Sequence, residues 1–120
     1  MNIGIIPCCK QKLPYSASAQ ELYQSTLFHI MRSYVEKNCD EWFILSGKHG
    51  LVHPAMVIEP YDFNLDEATN EYRELWACSV HRQLRNLEEC RFTALVSGAY
   101  ANAFKSIPFY RPSILRLLQD

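Results

Sequence analysis

The 120-residue sequence contains no apolar run near the roughly 18 residues that a membrane-crossing helix needs. Its first ten residues, "MNIGIIPCCK", lack a basic leading region, and their apolar stretch is too short for a secretory signal core, so a cytoplasmic location is expected. There is no excess of one charge: the formal net charge is −1 and the pI about 6.4. General nucleic-acid binders carry a basic surplus, so nucleic acid is not the favoured partner. Internal repeats, low-complexity tracts and linkers are missing too. The five cysteines (Cys8, Cys9, Cys39, Cys78, Cys90) are odd in number and have no framework spacing, which fits reduced thiols better than disulfides. Neither G-x-x-x-x-G-K-[ST] nor G-x-G-x-x-G occurs, so no complete phosphate-binding motif is present.

What remains is an ordinary globular composition, 48% hydrophobic and 21% charged, in a chain long enough for one core and one domain spanning 1–120. Residues 2–6, "NIGII", read as a buried strand stopped by Pro7, followed by the polar loop "CCKQKLPYSAS". From Ala19 to about Lys37 the apolar steps of three and four predict one amphipathic helix, with Ser16 or Ser18 as its cap. "WFIL" (42–45) is a second strand. Pro60 keeps "VIEPYDFNL" (57–65) extended and irregular. A second helix runs from Asp66, as cap, to Asn86, and "FTALV" (92–96) is a third strand broken at "SGAY". The tail "PSILRLLQD" is too short to assign. Strands alternating with helices predict a small three-layer α/β fold, with a mainly parallel sheet of three to four strands flanked by helices.

In such sheets ligands bind outside the carboxyl ends of the strands. Here the three strands run into "PCCKQK", "SGKHG" and "SGAYANAFK", and parallel strands would bring those segments to one edge. The edge would hold the cations Lys10, Lys12 and Lys48, the hydroxyls of Ser46 and Ser97, glycine amides such as that of Gly98, and Tyr61 and Tyr100, which can stack on a base. A phosphate- or nucleobase-bearing small molecule suits that set.

Each residue also has a plainer role. Gly47 and Gly50 can simply turn the chain, and loop lysines are commonly solvated. His49 and His53 lie in a loop broken by glycine and proline and do not form a helical metal pair, so no metal or other cofactor is expected. Cys8, directly after a strand and beside Lys10, is a candidate nucleophile with His49 as the only plausible histidine base, although a packed structural cysteine is the commoner case. In "EPYD", Glu59 or Asp62 can serve as a general base or hold a ribose hydroxyl, or Asp62 can cap a turn. Trp42, Trp76 and Tyr72 read as core. Arg32, Arg73, Arg82 and Arg85 fall on helices and are expected to face solvent.

Taken together, "PCCKQK", "AQELYQSTLF", "WFILSGKHGLVHP", "IEPYD" and "SGAY" resemble the bacterial and phage domain-of-unknown-function family DUF6884, and are distantly similar to peroxide-stress proteins of the YaaA type. The resemblance covers residues 3 to about 104. It implies an α/β fold and a link to nucleotide or nucleic-acid metabolism without a defined reaction. It adds weight to Lys10, Lys12, Lys48, His49, Tyr61 and Asp62, and brings in Ser25 from a "LY.S..F" helix and the pair Gly98 and Tyr100. The leading expectation is an enzyme that binds and processes a nucleotide, nucleoside or nucleobase, by N-glycosidic or related hydrolysis. Catalysis would fall to Asp62, His49 or Cys8. The alternatives are a non-catalytic nucleotide-sequestering protein of phage type and a DNA-binding stress accessory.

Overall fold

The computed structural model describes residues 1–87 and 90–105, the side chains of 102–105 excepted; the "PSILRLLQD" tail lies outside the described residues. Its centre is β1 (Asn2–Pro7), a continuous apolar strand of the kind that is buried on both faces. It pairs in parallel with β3 (Glu41–Ser46) on one side and β6 (Arg91–Ala94) on the other, with Ile5 level with both Phe43 and Ala94. β4 (Gly50–Val52) adds antiparallel to β3, giving a mixed, mostly parallel sheet in the order β4-β3-β1-β6. Two short strands, β2 (Ala17–Ser18) and β5 (Val57–Ile58), form a separate antiparallel pair.

Side-chain alternation sends the two faces of this sheet to two apolar layers. Ile3, Ile5, Leu45 and Phe92 join Trp76, Val80 and Leu84 of α3 (Asn70–Arg85). Ile6, Ile44 and Val52 join Phe28, Met31 and Val35 of α2 (Thr26–Asn38), together with Ala19 and Leu22 of the short α1 (Ala19–Leu22). α4 (Gly98–Lys105) lies beside α3, against the first layer. The expected three-layer α/β arrangement is therefore present. The connection leaving β1 runs to the α2 face and the one leaving β6 runs to the α3 face, while β3 turns directly into β4. The chain thus opens a crevice at the carboxyl end of β1, where Cys8 begins.

Three local expectations change. The helix expected over Ala19–Lys37 is two helices, because Tyr23 is extended (φ −82°, ψ 129°) and bridges to Lys12. Leu13 N–H donates to Leu22 C=O and Gln24 N–H to Gln11 C=O, so the loop after β1 competes successfully for this backbone. The cap of α2 is Ser25, whose Oγ accepts from Phe28 N–H at 3.0 Å. Likewise α3 begins at Asn70, capped by Thr69, and Asp66 belongs to a separate 3₁₀ turn, Leu65–Glu67.

A further correction concerns the "SGKHG" loop. It is a hairpin from β3 into β4, an edge strand missed in the sequence because it has only three residues. Gly50 takes φ +75°, where a side chain is strained, and an added Cβ would sit 2.5 Å from Gln83 Oε1. Gln83 uses its amide to accept from Leu51 N–H (2.9 Å) and donate to Leu51 C=O (3.1 Å). A helix side chain thereby satisfies backbone groups of the edge strand, one recognised way of blunting an edge. Among the described residues no helix is long and apolar enough to cross a membrane.

Candidate functional site

Ser46 ends β3 fully buried, and every polar group it offers to the loop is used. Its Oγ accepts from the backbone N–H of Lys48 (3.2 Å) and of His49 (3.0 Å). Two acceptances fill the hydroxyl's two lone pairs, so its proton goes to Tyr61 Oη, 2.7 Å away. Tyr61 Oη in turn lies 2.6 Å from Tyr23 Oη. On the other side the Ser46 carbonyl accepts from Trp76 Nε1 at 2.8 Å, and the Gly47 carbonyl accepts from Tyr72 Oη at 2.8 Å. Lys48 and His49 are exposed, yet the backbone carrying them is fastened to both layers of the core.

Three groups gather round the Tyr61 ring. Lys12 Nζ stands over it at 4.3 Å from the centroid and Lys48 Nζ at 5.5 Å. The His49 ring meets it edge-on at 5.2 Å and 90°. Burial, then the Lys48 charge, push the His49 pKa down and favour the neutral imidazole. Burial is also the main cause that raises the Tyr61 phenol, followed by the Cys8 and Tyr23 charges; burial likewise raises Tyr23 and Tyr100. All three are phenols at neutral pH.

Beside this network, at the end of β1, is a cavity of about 380 Å³. Cys8, Cys9, Lys10 and Lys12 form one wall, and Asp62, Phe63, Asn64, Asp66 and Glu67 form the other, with Tyr100 between them. Cys8 Sγ is 3.1 Å from Tyr100 Oη, and the Tyr100 ring stands edge-on to Trp76 at 5.6 Å. The acidic wall is braced. Arg73 donates to the carbonyls of Asp66 (3.1 Å) and Leu65 (3.4 Å) and to Asn70 Oδ1 (2.7 Å), so it does not simply face solvent as the sequence suggests. Asp66 Oδ1 accepts from Ala99 N–H at the start of α4, which follows Gly98 at φ +60°. By contrast, the Lys10 ammonium and the Asp62 carboxylate have no hydrogen bond or ion pair with any described residue.

Eleven of the residues singled out in the sequence fall into three groups, while Glu59 and Ser97 are not among those that line the cavity. Cys8, Lys10, Lys12, Asp62 and Tyr100 line the cavity. Ser46, Lys48, His49 and Tyr61 form the adjoining hairpin network, and Lys12 belongs to both. Ser25 and Gly98 serve backbone geometry, as a helix cap and a turn. Tyr61 is not among the lining residues; its hydroxyl is bonded twice and its ring is attended by two lysines, so it is a support and not a stacking platform for a base. Cys8 meets Tyr100 and not His49, and a phenol held protonated is no base for a thiol. Asn64, Asp66 and Arg73 are not singled out for the site by the sequence, whereas Tyr23, part of the "LY.S..F" pattern beside Ser25, joins the network through its hydroxyl. Tyr23 fitted the helical apolar stripe, which hid its hydroxyl. Arg73 could have been found from its spacing to the acidic turn, seven residues after Asp66. Among the described residues no group of three or more His, Cys, Asp or Glu side chains is placed to hold a metal ion.

The model of a family of unknown function, DUF6884, matches residues 3–113. The chain belongs to that family. No curated protein and no solved structure matches it. The strand ends and both walls of the cavity fall within the span that defines DUF6884, so the site is built from family sequence and not from an appended segment.

Two outcomes follow from the network. Tyr61→Phe leaves the Ser46 and Tyr23 hydroxyls without their common partner, and should lower unfolding free energy by about 1–3 kcal/mol in urea denaturation. A surface-like loss of a few tenths of a kcal/mol or less would show that the chain of hydroxyls is not formed. His49 binds its proton less readily folded than unfolded, so stability is full above the ordinary histidine value of 6.5 and falls as pH drops below it. Thermal melting from about pH 8 to about pH 5 should therefore fall more steeply for wild type than for His49→Gln; parallel curves would contradict the assignment.

Proposed function

We propose that the cavity at the end of β1 binds a nucleotide-class small molecule and that Asp62 acts on it as a general base. The observation that carries this reading is the division of one cavity into a lysine wall and a carboxylate wall, with Lys10 and Asp62 unpaired. A cation and an anion held across a gap without neutralising each other suit a ligand that brings a phosphate to one and hydroxyls to the other. About 380 Å³ is near the low end of small-molecule sites, which suits a nucleoside monophosphate better than a large cofactor.

In this reading Lys10 and Lys12 take the phosphate, and Asp66 and Glu67 take ribose hydroxyls. Asp62 accepts a proton from a water that attacks the sugar carbon of the N-glycosidic bond. The base leaves with the bond's electron pair and is protonated by solvent. A non-catalytic binder is the second reading. It is favoured by the absence of a histidine from the cavity lining among the described residues and by the pairing of Cys8 with a phenol.

The test is titration calorimetry and product chromatography with the common nucleosides and their monophosphates. Lys10→Ala should weaken monophosphate binding about tenfold or more, the value of one charge-assisted contact. Asp62→Asn should lower turnover about 10²–10⁴-fold with binding little changed. Ligand bound but returned intact by wild type would establish the binder instead, and binding of none of these compounds would remove both readings.

A further inference from the structure

Lys12 and Lys48 come from loops after different strands, yet both ammonium groups stand over the Tyr61 ring, at 4.3 and 5.5 Å from one centroid. Neither pairs with a carboxylate among the described residues, where the ion pairs formed are those of Arg32 with Glu21 and Glu36. Each is a cation left without an anion, and attraction to the ring offsets only part of that cost. The backbone that carries each lysine is also held. Lys12 Nζ donates to the Lys10 carbonyl at 3.3 Å, its backbone bridges to Tyr23, and the Lys48 backbone is tied to the buried Ser46.

Only Lys12 also lines the cavity. It therefore faces two spaces, the cavity that it shares with Lys10 and the rim above Tyr61 that it shares with Lys48. We infer that the Lys12–Lys48 pair over Tyr61 is a second anion subsite, continuous with the first, and that the ligand carries two linked phosphates. The first phosphate sits between Lys10 and Lys12, and the second between Lys12 and Lys48. The neutral imidazole of His49, beside Lys48 on the same hairpin, offers a hydrogen bond to the second phosphate without a further charge. The ligand class narrows to nucleoside diphosphates and their derivatives.

This inference rests on the nucleotide reading of the cavity, and the test separates the two. Titration calorimetry compares the mono- and diphosphates of adenosine, guanosine, cytidine and uridine. For the base that binds, the diphosphate should bind about tenfold or more tightly than the monophosphate. Lys48→Ala should remove that advantage while changing monophosphate affinity less than about twofold, and Lys48→Arg should restore most of it. Lys48 is exposed, so the variant's melting temperature should match that of wild type, which separates a lost contact from a lost fold. Equal affinity for mono- and diphosphate in wild type, or a Lys48→Ala loss shared equally by both, would overturn the second subsite and leave the cavity reading standing. If neither class binds, the cavity reading fails and this one with it.

Discussion

The hydroxyl of Ser46 is the constraint on which the rest of the site depends. It ends a central strand with no exposure to solvent, and a polar atom so placed must have partners or cost several tenths to a few kcal/mol. Its partners are the two N–H groups of an otherwise exposed hairpin and a buried phenol from the segment after β5. Satisfying one hydroxyl therefore fixes three things together: the path of the Lys48–His49 backbone, the position of the Tyr61 ring, and, through Tyr23, the break between α1 and α2. The Trp76 indole holds the same residue from the opposite layer. Among the described residues no charged side chain takes part in this chain of hydroxyls, and Lys10 and Asp62 at the rim have no structural partner.

That division of labour explains the chemistry of the edge. The three phenols are kept protonated by burial, so they act as dipoles and supports. Charge is confined to the two walls of the cavity and to the Lys48 rim. Arg73, fastened to the carbonyls of Leu65 and Asp66, holds the acidic wall from behind without crossing the cavity to neutralise it. Asp66 in turn fastens that wall to α4, the helix that carries Tyr100. The charged groups at the mouth are thus carried by a frame whose own polar groups are already satisfied, as a preorganised site needs.

Much of this was legible in the sequence for a simple reason. Runs such as "IGII" (3–6) and "WFIL" have no charged or hydrogen-bonding side chain to solvate beyond the Trp42 indole, so they read as interior strands, and parallel strands must end together. The convergence of Cys8, Ser46 and the residues after Val96 follows from that rule alone. What was not legible depended on partners far apart in the chain. The stripe through Leu22, Tyr23 and Leu27 has helical spacing, and nothing local reveals that the backbone of Gln11–Leu13 claims Tyr23 and its neighbours. β4 is too short to carry a pattern, and its edge is satisfied by Gln83 from a distant helix. Tyr61 looked like a stacking surface because its ring is visible in the sequence and its two hydroxyl partners are not. Ser25 entered by family resemblance, which does not distinguish a residue kept for geometry from one kept for chemistry.

The most direct measurement is amide hydrogen exchange at Lys48 and His49. Both residues are exposed, and an unsupported hairpin tip would exchange at close to the rate of an open chain. The account predicts protection on the order of a hundredfold or more at both amides, lost together in Ser46→Ala while the amides of β1 stay protected. Exchange of Lys48 and His49 at open-chain rates in the wild-type protein would contradict it, because the loop would then not be held by the Ser46 hydroxyl.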